Sequence, residues 1–109
     1  MEKVSETEFN NVINSDKKTV VKFFVDWCPD CKRSLGFDNE IEKEFSTVFD
    51  FYCINADDYP QLKTKNGVRG YPSYLIYKNG EKIAHLHSKW TKSKEQVADF
   101  LEKNVSGRN

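Results

Sequence analysis

The chain has 109 residues, with 17 Lys and Arg balanced by 17 Asp and Glu. That length suits a single domain whose core needs no disulfide staples, and the even charge gives no global field to recruit nucleic acid or an anionic membrane. No apolar run approaches a membrane span, Met1-Glu2-Lys3 leads into no signal-peptide core, and three cysteines make a poor disulfide framework. The expectation is a cytoplasmic monomer that binds neither nucleic acid nor membrane.

A short edge strand is expected at Met1–Val4. Val4-Ser5-Glu6-Thr7-Glu8-Phe9 then holds a capping box, with Ser5 as cap, Glu8 reaching back and Val4 against Phe9 as a hydrophobic staple. A helix over about 6–14 follows, and Asn14-Ser15-Asp16-Lys17 turns the chain. The segment of about 19–25 is apolar on both faces, as in a central strand covered on each side. Residues from about 29 to 46 form a long helix with Leu35, Ile41 and Phe45 inward, and Gly36 marks a possible bend. Asp50–Asn55 is a second strand. A short helix begins around Pro60 and stops near Asn66-Gly67. Ser73–Tyr77 and Lys82–His87 flank Asn79-Gly80, a strong hairpin signal. Ser93-Lys94-Glu95-Gln96 is a second capping box, opening a helix with Val97, Phe100 and Leu101 on one stripe. The tail 106–109 is expected to fray.

Trp27-Cys28-Pro29-Asp30-Cys31 sits where the central strand gives way to the long helix. Two thiols separated by two residues there can close a disulfide with little backbone movement. The unpaired N–H groups and positive dipole end of a helix start favour a thiolate on the first of them. Cys28 is thus the expected attacking thiol and Cys31, one turn further in, the resolving thiol. Pro29 suits a first helical position, and Asp30 suits a helix start while bringing a carboxylate near both sulfurs. Two alternatives stand beside this reading: an inert core pair, or half of a zinc site completed from Cys53, His85 and His87. No second pair has finger-like spacing, so no metal is expected. No dinucleotide fingerprint is present either, so no bound cofactor is expected.

The element order, with Trp-Cys-x-x-Cys after a buried strand and Val68-Arg69-Gly70-Tyr71-Pro72 before a hairpin that carries Lys78-Asn79-Gly80-Glu81, resembles the thioredoxin family from about Val4 to Val105. The resemblance implies an α/β thioredoxin fold, a central mixed β-sheet flanked by helices on both faces, spanning 1–109 as one domain. It implies a thiol–disulfide oxidoreductase that mainly reduces disulfides of partner proteins and is recharged by an external reductase or small thiol that the sequence does not identify. Pro72 resembles the family's cis-proline, which would hold the Tyr71 backbone extended for a substrate segment to pair with, and Trp27 would be the apolar wall beside Cys28.

Against the family pattern, Pro29-Asp30 stands where Gly-Pro is usual. Ser88, preceded by His87, stands for a glycine beside the active site, so Tyr71, His87 and Ser88 suggest an altered docking surface. The buried Asp usual six residues before the first cysteine is here Lys22, and its usual Lys partner aligns with Cys53. A lone ammonium in a central strand must pair, lose its proton or reach past the sheet edge to solvent, with Asp30, Asp57 or an ionised Cys53 as candidate partners. Lys22 is expected to favour a Cys31 thiolate and move the pair toward a more oxidising potential, while the Asp30 carboxylate pulls the other way and leaves the net sign open. Cys53 reads as a small buried apolar residue before a third redox thiol. The alternative function is a non-catalytic binding or adaptor module of this fold, or a redox sensor using the same thiols.

Overall fold

The computed structural model describes residues 1–105. Along the chain run β1 (Glu2–Lys3), α1 (Glu6–Val12), β2 (Thr19–Phe24), α2 (Pro29–Phe45), β3 (Asp50–Asn55), α3 (Pro60–Lys65), β4 (Ser73–Lys78), β5 (Glu81–Leu86), a 3₁₀ turn at Ser88–Trp90 and α4 (Lys94–Lys103). The strands form one mixed sheet in the order β1-β3-β2-β4-β5. Here β2 lies parallel to β3 and antiparallel to β4. No helix among the described residues is long and apolar enough to cross a membrane. The tail 106–109 lies outside the described residues.

Local chemistry accounts for most element ends. Both capping boxes form, at Ser5 with Glu8 and at Ser93 with Gln96, each satisfying helix-start N–H groups that would otherwise lack partners. Pro29 and Pro60 open their helices, where a missing N–H costs nothing. The β4–β5 turn puts Asn79 and Gly80 at φ 54° and 83°, the left-handed conformation that a tight hairpin needs and that these residues tolerate.

Strand alternation divides the core in two. Val21, Phe23 and Val25 join Phe9, Leu62, Leu75 and Tyr77 on one face. Val20 faces the other way with Ile41, Phe45, Tyr74, Val97 and Leu101. Lys22, two residues after Val20, shares that second face, beneath α2. The buried positions of α2 are Cys31, Ser34, Asp38, Ile41 and Phe45, a three-four-three-four spacing. This corrects one expectation: Leu35 lies a step off that stripe and is 65 % exposed. A second correction concerns Gly36. The helix runs through it unbroken, and a Cβ there would meet nothing within 4 Å.

Candidate active site at the start of the long helix

Cys28 is the N-cap of α2, and its sulfur accepts a hydrogen bond from the Cys31 backbone N–H at 3.2 Å. Its thiol donates to the Tyr71 carbonyl at 3.4 Å. Both cysteines are free thiols. The parallel β2–β3 pair sends the chain out at the end of the sheet where α2 begins, and the Tyr71–Pro72 segment before β4 arrives at the same end, so two stretches 43 residues apart meet at one sulfur. The Tyr71–Pro72 peptide bond is cis. Trp27 is 67 % exposed, with its indole N–H held by Asp57 at 2.9 Å and its ring edge-on to Tyr71 at 6.2 Å.

Cys31 has a different environment. Burial above all, and the hydrogen bond to Cys28 next, push its thiol up to about 12; the Val25 backbone and the Lys22 ammonium pull weakly the other way. Behind it opens a cleft of about 410 Å³, lined among others by Lys22, Asp26, Cys31, Asp38 and Cys53.

Lys22 neither reaches solvent nor meets the partners expected for it. It is 2 % exposed, and its Nζ lies 2.5 Å from Asp38 Oδ2. Tyr74, directly opposite Lys22 on β4, donates its hydroxyl to Asp38 Oδ1 at 2.8 Å. The other candidates are engaged elsewhere. Asp57 holds Trp27. Asp30 bonds Lys92 at 2.5 Å and Arg33 at 2.6 Å, and these cations, Lys92 first, keep its carboxyl below the usual range. Both Asp30 oxygens are thus bound to cations, which leaves the carboxyl ionised. Burial raises the Cys53 thiol, which donates to the Met1 carbonyl at 3.6 Å. Asp38 and Tyr74 were not singled out in the sequence; the helical spacing from Cys31 through Ser34 to Ile41 and Phe45 would have found Asp38.

His87 and Ser88 lie past the end of β5 in a cleft of about 610 Å³ with Arg69, Gly70, Lys82, His85 and Lys89. His87 stacks on His85 with ring centres 3.9 Å apart, and this cleft contains neither redox cysteine. A Cβ on Gly70 would fall 2.3 Å from Ser88 Oγ and 3.1 Å from its Cβ. The side chain at Ser88 therefore occupies the space that the missing one at Gly70 leaves, immediately before Tyr71. Among the described residues no three His, Cys, Asp or Glu side chains are grouped to hold a metal ion.

The Thioredoxin family model matches residues 1–103. The chain belongs to the thioredoxin family. It is 31 % identical over 100 residues to a thioredoxin of Rickettsia typhi, covering 88 % of this chain and 90 % of that one. It is 34 % identical over 80 residues to the chloroplastic thioredoxin M4 of Arabidopsis thaliana, covering 72 % of this chain but only 42 % of that protein's length. A Plasmodium falciparum thioredoxin structure superposes with a TM-score of 0.85 at 27 % identity, over 95 % of this chain and 99 % of that one. As a thioredoxin-family protein with its Cys-x-x-Cys pair at the helix start, the chain is a thiol–disulfide oxidoreductase acting on disulfides of proteins.

Proposed function

We propose that Cys28 is the nucleophile and Cys31 the resolving thiol of a protein-disulfide reductase. The carrying observation is the position of the Cys28 sulfur, 3.4 Å from the Tyr71 carbonyl and 3.2 Å from a helix-start N–H. A partner segment lying along the Tyr71 backbone as an added strand would bring its disulfide to that sulfur. The Cys28 thiolate attacks, one partner sulfur leaves as a thiolate, and the other remains joined to Cys28. Cys31 then attacks Cys28 and frees the partner. An external reductase or small thiol returns the pair to dithiols.

The exposed ring of Trp27, braced by Asp57 and set edge-on to Tyr71, supplies apolar area at the rim. The cleft beside Ser88 carries Arg69, Lys82 and Lys89 with no carboxylate in its lining, a charge that favours partners with acidic residues near their disulfide. Three cysteines, one of them left over from any pairing, make a poor structural disulfide framework, and the cytoplasm is the proposed location.

Reduction of insulin disulfides with dithiothreitol as electron source tests the roles. The wild type accelerates it and Cys28→Ser abolishes the acceleration; equal rates would refute the assignment. Cys31→Ser should accumulate partners covalently held on Cys28 and released by dithiothreitol. Acidic substrates should lose more reduction rate than neutral ones as salt is raised.

A further inference from the structure

The exchange just described gives no task to the buried charge beneath it. Lys22 and Asp38 form an ion pair with 2 % and 5 % of their side chains exposed. Such a pair contributes no more stability than apolar residues of the same volume and often less, because desolvation offsets the attraction. Stability therefore does not account for an ammonium in the middle strand. Its location does: Lys22 and Asp38 line the same cleft as Cys31.

Cys31 needs help of one particular sign. With its thiol up at about 12, about one molecule in 10⁵ carries the thiolate at neutral pH, yet only the thiolate can attack the mixed disulfide. The ionisable groups sharing the cleft are the Met1 ammonium, which is paired with Glu42, Lys22 from β2, Asp26 just after it, Lys32 and Asp38 from α2, and Cys53 from β3; the Cys28 thiol adjoins on α2, and the Tyr74 hydroxyl from β4 reaches in to Asp38. Among these, Lys22 is the cation that stabilises negative charge on the Cys31 sulfur.

We propose that Lys22, anchored by Asp38 and Tyr74, is a positioning residue for the release step, its ammonium stabilising the thiolate that Cys31 must form before it attacks Cys28. The inference rests on the Cys28–Cys31 roles proposed above. In the step, the Cys31 proton passes to solvent in the cleft and the sulfur's electron pair forms the bond to Cys28. The bond between Cys28 and the partner sulfur breaks, and the partner departs as a thiolate with that electron pair, later taking a proton from solvent. Cys31 is oxidised to the disulfide level as the partner sulfur is reduced to a thiol. Because Cys31 stays protonated in the resting dithiol, Lys22 acts on the rate of release. This revises the expectation that its first effect is on the redox potential.

The test titrates Cys31 by its alkylation rate against pH in Cys28→Ser protein, which requires no turnover and removes the upward push of Cys28. The comparison is with the same protein carrying Lys22→Met and Asp38→Leu, an apolar pair in place of the charged one. Lys22→Gln with Asp38→Asn, neutral and hydrogen-bonding, serves if the apolar pair does not fold. The expected result is a Cys31 midpoint shifted upward, because the ammonium that lowers it is gone. With Cys28 retained, release of a trapped partner at pH 7 then slows roughly threefold per unit, because the thiolate falls tenfold and the more basic sulfur regains about threefold in reactivity. An unchanged midpoint overturns the proposal. So does a lower one, which is what mere loosening of the interior and entry of water would produce. Insulin reduction by the unmodified protein reports separately on the Cys28–Cys31 roles; if that fails, those roles are wrong whatever Cys31 titrates to.

Discussion

Two carboxylates of α2 each bind an ammonium at 2.5 Å, and the resemblance ends there. Asp38 and Lys22 are buried between helix and sheet, whereas Asp30, Lys92 and Arg33 meet at the surface. Water can replace either member of the exposed cluster at small cost. With only 2 % and 5 % of their side chains exposed, the interior pair has little access to water in place of a lost partner, so the two residues depend on each other and on Tyr74. Proximity in a structure is therefore a poor measure of what an ion pair does; burial decides.

Removing one charge from the interior should give the largest effect. Asp38→Ala strands the Lys22 ammonium and is expected to cost about 3–5 kcal/mol in urea denaturation. Replacing both, as Lys22→Met with Asp38→Leu, should recover most of that loss; a double variant as unstable as the single one would break the comparison. Tyr74→Phe takes one hydrogen bond from a buried carboxylate, an expected loss of about 1.5–3 kcal/mol by the same measurement.

A pH effect smaller than these follows from His85. Burial first, then the nearby Lys82 and His87, lower its imidazole from 6.5 to about 4. The unfolded chain takes up that proton near 6.5 and the folded chain only near 4, so the unfolded state binds more protons across that window. This contribution to stability is complete above pH 6.5 and is lost as the pH falls toward 4. Thermal melts of His85→Gln should fall less steeply between pH 6.5 and 4 than those of the wild type. At the small end, Lys92→Ala should leave the melting temperature unchanged within experimental error, and a clear drop would mean that the surface cluster is as interdependent as the interior one.

Much of this was legible from the residues because it is local. Capping boxes, helix-opening prolines and the Asn79-Gly80 turn act over a few residues, and each formed where its chemistry lay. The redox pair was legible for the same reason, since its spacing and helix start are contiguous. Leu35 misled because apolarity alone does not mark an inward position. The inward stripe of α2 instead carries Cys31, Ser34 and Asp38 at its active-site end, where chemistry displaces packing. The Ser88–Gly70 contact was unreadable as well: it joins positions 18 residues apart through a side chain filling the space of an absent one.

The order of elements, the two thiols and the problem of an ammonium in a central strand were all determined by the sequence alone, because period, caps and turn residues act on near neighbours. Which carboxylate answers that ammonium was decided only when β2, β4 and α2 packed together. Strand alternation put Lys22 and Tyr74 on one face, helical periodicity turned Asp38 toward it, and exclusion of water made the meeting obligatory.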